Sequence, residues 1–264
     1  MRAKDGLPGF SRRNARFLLK KQNTKTEPQK EIMPTLKRLD QLLSNCGYCS
    51  RNEAKKLIER GRITVNGAVI KDPSAKAEPA AVLFDDEPLD HPDGILVMLN
   101  KPAGYVCTHD SSEGARIYDL FPDLWLLRNP AVSGIGRLDK DTTGLILVTD
   151  YTHLIHDFTS PKHHVEKTYR VTVNKALQQD IVTLFNSGTL VLEDETDACL
   201  PAKLEILGEH TADLTLTEGR YHQVKRMFAA AGYEVMTLGR WRFGPYVLYD
   251  LKEGAWKDVP IIEP

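Results

Sequence analysis

The chain has 264 residues, enough for one large domain with a small one beside it, or for two of middle size. Hydrophobic residues make up 41% and charged residues 27%, an ordinary globular balance, and the net charge of −1 alone says nothing of a polyanionic partner. No apolar run is long enough to cross a bilayer. Charge is unevenly spread: residues 1–80 hold 18 Lys/Arg against 8 Asp/Glu, and the remainder holds 17 against 28. A basic front on an acidic body marks the front as an electrostatic handle. Of the four cysteines, Cys46 and Cys49 form a C-x-x-C with no second pair at zinc-ligand spacing. A helix–helix turn is therefore the better reading of that pair than a metal site. A chain with so few cysteines has no disulfide framework and fits a reducing cytosol.

Residues 1–33 lack a hydrophobic period and are rich in Lys, Arg, Asn and Gln, the signature of a disordered basic tail. The composition favours such a tail, or a chain start at Met33, over an organelle transit peptide. Order is expected from residue 34. Leu36, Leu39, Leu42 and Leu43 recur at helical spacing. Ser50-Arg51-Asn52-Glu53 reads as a capping box, and the helix it opens runs through Ala54, Leu57 and Ile58 to a left-handed cap at Gly61. Asn66-Gly67 between Arg62–Val65 and Ala68–Ile70 is a strong hairpin signal. Two short helices, a hairpin and a cluster of Lys/Arg make a basic module at 34–80. Residues 81–93, acidic and punctuated by Pro, read as a linker.

From 94 to 264 the pattern predicts an α+β domain of mainly antiparallel strands. Strands are expected at Ile95–Leu99, Leu145–Thr149, Thr168–Val173 and Ala212–Leu216, and a helix from His222 to Ala231 closed by Gly232. No Gly-rich phosphate loop, H-E-x-x-H or G-x-S-x-G occurs. The chemistry-bearing loop is Gly136-Arg137-Leu138-Asp139-Lys140-Asp141-Thr142-Thr143-Gly144, which runs directly into an apolar strand. Such a loop holds a carboxylate rigidly at a cleft, but residue type alone does not rank Asp139 above Asp141.

Two resemblances bear on that choice. Residues 36–76 are similar to the small S4-like RNA-binding domain, whose cations suit RNA phosphates. The loop GRLDKDTTG resembles the signature of the pseudouridine synthases. Three further segments resemble the small-subunit (RsuA-type) branch of that family: Leu99-Asn100-Lys101-Pro102, the run from Ser160 to Tyr169, and the run from Glu218 to Phe228. The front extension is the main departure.

The resemblance implies an S4-like domain followed by a pseudouridine synthase catalytic domain. It implies an enzyme that isomerises a specific uridine of small-subunit (16S) ribosomal RNA, with the target base flipped out and no cofactor or metal. It makes Asp139 the nucleophile, whether by attack at C1′ or by assisting departure of the base before elimination. Lys225 becomes its cationic partner, where many synthases have Arg, and Tyr169 the residue that stacks on the base. Arg137, Lys167, Arg220, His222 and Leu238 are expected to bind substrate. Arg38, Arg51, Lys55, Lys56 and Arg62 are expected to meet RNA phosphates, and His163 and His164 to face RNA or solvent. The partner is then ribosomal RNA, or an assembling small-subunit particle, met in the cytoplasm by a monomer with no membrane association. Two rivals stand: a synthase acting on large-subunit RNA, and a non-catalytic RNA-binding assembly factor.

Overall fold

The computed structural model of the protein describes residues 35–264, so the tail read at 1–33 lies outside the described residues. In the front module, β1 (Lys37–Arg38), α1 (Leu39–Asn45) and α2 (Arg51–Glu59) precede β2 (Ile63–Val65), β3 (Ala68–Ile70), β4 (Lys76–Ala77), β5 (Val82–Phe84) and β6 (Glu87–Pro88). The capping box forms: the Ser50 hydroxyl accepts from the Glu53 amide at 3.3 Å, and the Glu53 carboxylate accepts from the Ser50 amide at 2.9 Å. Asn66 and Gly67 both take positive φ, 50° and 79°, the geometry a tight two-residue hairpin needs. Leu39, Leu42, Leu43, Ala54, Ile58, Ile63 and Val82 bury one core between the helices and the sheet β3-β2-β5-β6. The C-x-x-C lies in the turn between α1 and α2.

Two expectations change here. Leu36 is exposed, because the chain at Lys37–Arg38 pairs with Lys76–Ala77 and the helix starts only at Leu39. The stretch 81–93 is not a free linker, since β5 and β6 both belong to the front sheet and Leu89 lies in the front core. Asp85 and Asp86, at φ 51° and 68°, form the hairpin turn between those strands, so their polarity masked a turn rather than marking a tether.

The second module is one mixed sheet. Its strands are β7 (Leu96–Lys101), β8 (Ser133–Ile135), β9 (Thr143–Thr149), β10 (Lys167–Val173), β11 (Lys203–Gly208), β12 (Thr211–Leu216), β13 (Val235–Phe243), β14 (Tyr246–Val247) and β15 (Trp256–Asp258). The order is β11-β12-β10-β13-β9-β7-β15, with β14 beside β13 and β8 beside β9. Helices α3 (Thr152–Thr159), α4 (Asp180–Asn186) and α5 (Gln223–Ala230) cover it. All its pairings are antiparallel but one: β13 runs parallel to β9 and touches it only at Gly239↔Thr143 and Arg240↔Gly144. That short seam joins two half-sheets, each with its own core. Val97, Leu99, Ile146 and Val148 pack on one side, and Val171, Leu214, Met227 and Phe228 on the other. Strands β7 and β9 are buried on both faces, which accounts for their unbroken apolar runs.

Arg128 ties the modules together. Its Nε donates to Asp150 at 2.9 Å, and Nη1 and Nη2 donate to the carbonyls of Asp90 and His91 at 3.1 and 2.9 Å. The Asn129 amide donates to the Asn45 carbonyl at 3.0 Å, carrying the contact across to α1. With Arg128 and Asp150 only 2% and 8% exposed, losing one partner strands a buried charge. Arg128→Met should therefore lower the unfolding free energy by about 3–5 kcal/mol. Urea denaturation reads this, and a loss below about 1 kcal/mol, the size of an exposed pair, would contradict it.

Candidate functional site

The loop from Gly136 to Leu145 wraps two buried cations. The Lys101 ammonium, fully buried at the end of β7, donates to the carbonyls of Thr142 at 2.7 Å, Pro102 at 3.1 Å and Lys140 at 3.2 Å. The Arg240 guanidinium, 1% exposed on β13, donates to the carbonyls of Leu145 at 2.8 Å and Gly136 at 2.9 Å. Burial pushes the Lys101 pKa down, against the opposing pull of Asp141 and Asp139. Gly144 makes the seam possible: its φ is 102°, and a Cβ there would stand 2.2 Å from the Arg240 carbonyl oxygen. Both ends of the loop are thus pinned, with Asp139 between them.

Asp139 faces a cavity of about 1220 Å³ that is open to solvent. Lys225, on the first turn of α5, brings its ammonium to 3.4 Å from one Asp139 oxygen, and the His222 Nε2 stands 3.4 Å from the other. Lys225 is shared. It lies closer to Asp141, at 2.6 and 2.8 Å from that carboxylate's two oxygens. That hydrogen bond holds the Asp141 pKa below its ordinary value. On Lys225 burial pulls the pKa down, but the Asp141 hydrogen bond and the Asp139 charge outweigh it and the net shift is upward. The cation beside Asp139 therefore keeps its proton at neutral pH.

Tyr169 on β10 and Leu238 on β13 sit on adjacent strands, Tyr169 opposite Arg240 and Leu238 opposite Val171, and both line the same cavity. Tyr169 packs against the cores of both half-sheets, and the Arg240 guanidinium lies 6.0 Å from its ring centre. A flat aromatic, a carboxylate with a cation and an apolar floor thus meet at the parallel seam.

The remaining candidates separate. Arg137 is exposed on the cavity wall. Lys167 lines the cavity half-buried, its ammonium donating to the Val165 carbonyl at 3.3 Å and lying 5.6 Å from the Phe243 ring centre. Burial first, and then the charge of Arg240, push its pKa down to about 8 against the pull of Glu218. Arg220 lines the rim, but its guanidinium is already engaged by Glu195, Glu218 and the carbonyls of Asp197 and Ala198. In the front module Arg38 and Arg51 both pair with the buried Asp40, and Arg62 pairs with Asp85. The hydrogen bond from Arg38 holds the Asp40 pKa down although burial opposes it. Lys55 and Lys56 are exposed on α2 and make no ion pair among the described residues. His163 and His164 are exposed on the loop before β10.

Lys101 and Arg240 were not singled out from the sequence. Arg240 carries a partial signal, strand parity with the apolar Leu238, although Met236 and Arg242 share that parity and are exposed. Lys101 ends an apolar strand and gave no sign that its ammonium turns inward.

Residues 95–230 match the family described as RNA pseudouridylate synthase, and residues 37–83 match the S4 domain. A protein of Haemophilus influenzae named ribosomal small subunit pseudouridine synthase A is 41% identical, over 84% of this chain and 95% of that one. A protein of the same name from Escherichia coli is 40% identical, over 84% of this chain and 96% of that one. A crystal structure of a pseudouridylate synthase superposes with a TM-score of 0.60 at 38% identity, covering 84% of this chain and 96% of its own.

Lys167 carries a stability prediction. With a pKa near 8, its charged form costs the fold free energy below that pH, and the cost fades as pH rises towards the ordinary lysine value of 10.5. Lys167→Met should raise Tm at pH 7, with a gain that shrinks steadily above pH 8. Thermal unfolding across that range checks it, and a gain that grows with pH would contradict the assignment.

Proposed function

Because the chain belongs to the RNA pseudouridylate synthase family and carries an S4 domain at its front, we propose that it isomerises one uridine of small-subunit ribosomal RNA to pseudouridine. The observation that carries the reading of the site is Asp139, paired with Lys225 and His222 on the wall of a cavity that also holds Tyr169 and Leu238. The reaction detaches uracil from its ribose, turns it and rejoins it through C5. Atoms are conserved, so no cofactor or energy source is required.

A base inside a helical stack cannot reach a recessed carboxylate, so the target nucleotide is flipped into the cavity. Tyr169 offers a ring face to the uracil and Leu238 an apolar floor. Asp139 then serves glycosidic cleavage as an anion, by attack at C1′ or by assisting departure of the base before elimination. The Lys225 ammonium stands 3.4 Å from that carboxylate, opposite in charge to it. Arg137 and Lys167 add positive charge along the wall the phosphates would follow. The S4 domain supplies further cations, of which Lys55 and Lys56 are the best placed. One chain carries every residue the site uses, which supports a monomer. Ribosomal RNA as substrate places the work in the cytoplasm.

Tritium release from small-subunit ribosomal RNA labelled at uracil C5 tests the reaction. Asp139→Asn should cut release by about a thousandfold or more while leaving RNA affinity nearly unchanged. Release by wild type from large-subunit RNA alone would overturn the substrate, and release by the variant at the wild-type rate would overturn the nucleophile. A second prediction concerns the front module. If Lys55 and Lys56 sit on phosphates, changing both to Ala should reduce the slope of log Kd against log salt by about 1–2. Binding titrations over a salt series read this directly, and an unchanged slope would place the phosphate contacts elsewhere.

A further inference from the structure

The loop before α5 presents an aromatic pair whose outer ring, Tyr221, has no part in the reaction proposed above. Tyr221 is 76% exposed, and its ring stacks on the His222 imidazole with centroids 3.9 Å apart and planes 20° from parallel. A singly exposed aromatic needs no explanation. This one differs in three respects. It lines the catalytic cavity, and its stacking partner stands 3.4 Å from the Asp139 carboxylate. His222 holds a left-handed backbone, φ 48°, which a non-glycine residue adopts only where its surroundings impose it.

The third respect is the bracing of the loop. Glu218 accepts from the Leu200 amide at 2.9 Å and from the Gln223 side chain at 2.6 Å, and Gln223 in turn accepts from the Arg220 amide at 3.0 Å. Arg220 donates to the carbonyls of Asp197 and Ala198 at 2.8 and 2.6 Å, and Arg226 donates to the Tyr221 carbonyl at 3.2 Å. These bonds fix the backbone from Glu218 to Gln223. None engages the Tyr221 phenol, which makes no hydrogen bond among the described residues. A hydrogen-bond network and a left-handed residue thus hold an open ring face at the cavity mouth.

We infer that the Tyr221–His222 stack is a docking platform for a nucleobase next to the target uridine. This rests on the RNA-modifying reading above. Extruding one nucleotide leaves its neighbour without a stacking partner on one side, and the Tyr221 face, stacked on the imidazole that stands 3.4 Å from Asp139, can replace the lost contact. Every base has a π-face, so the platform positions the strand without reading its sequence. Tyr221 is thus a positioning residue for the RNA, distinct from the carboxylate that reacts.

The test compares wild type, Tyr221→Phe and Tyr221→Ala by steady-state tritium release from small-subunit ribosomal RNA and by binding of the same RNA. The ring is on the surface, so Tm should be unchanged in both variants. Tyr221→Ala should raise KM and Kd by roughly 5- to 100-fold with a much smaller effect on kcat, and Tyr221→Phe should restore both. The loss should also be the same at low and high salt, because stacking releases no counterions. Wild-type KM and Kd in Tyr221→Ala would overturn the platform, as would a Phe variant as impaired as Ala. If wild type releases no tritium, the reading of the reaction fails and the binding comparison still decides the platform.

Discussion

The ammonium of Lys101 and the guanidinium of Arg240 are buried, yet neither meets a carboxylate within ion-pair distance among the described residues. Burying a charge without a counter-ion is costly unless dipoles replace the lost water. Here the dipoles are carbonyls of Pro102, Gly136, Lys140, Thr142 and Leu145, four of them in the loop that carries Asp139. The loop cannot relax without stripping those cations of their solvation. Its shape is therefore a condition of the fold's stability, and the carboxylate at its centre inherits that rigidity. The approach of β13 to β9 at Gly144 is what allows one arginine to reach both ends of the loop.

The charge around Asp139 is arranged with similar economy. Lys225 divides itself between two carboxylates, and the tighter contact is with Asp141 on the exposed side. Asp141 thereby holds the ammonium at the mouth, in reach of Asp139 but not locked onto it. Arg240 adds a second positive centre 6.0 Å from the Tyr169 ring centre, so this wall of the cavity is flanked by cations. Burial, and after it the charge of Arg240, depresses Lys167, while Glu218 pulls the other way.

Much of the fold could be read from local chemistry. The Ser50–Glu53 box, the Asn66-Gly67 hairpin, the strand after Gly144 and the helix beginning beside His222 all follow from residues that act on their near neighbours. The candidate site came from a different source, the resemblance of four segments to a known family; Asp139, Tyr169, His222 and Leu238 line one cavity, and Lys225 reaches Asp139 from beside it. What stayed hidden depends on distant partners. Arg38, Arg51 and Arg62 look like free cations in sequence, but Asp40 and Asp85 claim them. Arg220 looks like a substrate contact until Glu195, 25 residues upstream, is found against it. Residues 81–93 look like a tether because a three-residue strand flanked by acids has too little pattern to show itself.

On the proposed reading, the position of the Asp139 carboxylate, fixed by the two carbonyl-bound cations, is what makes the loop a reaction centre. Asp139→Glu tests it most directly, because it keeps the charge and the pairing with Lys225 while moving the carboxylate by one methylene. In that variant kcat should fall by about a hundredfold or more, with RNA affinity preserved, since a displacement on the order of 1 Å spoils an attacking geometry. A glutamate variant turning over near the wild-type rate would show that charge at this place suffices and that the clamped loop is not what makes it reactive.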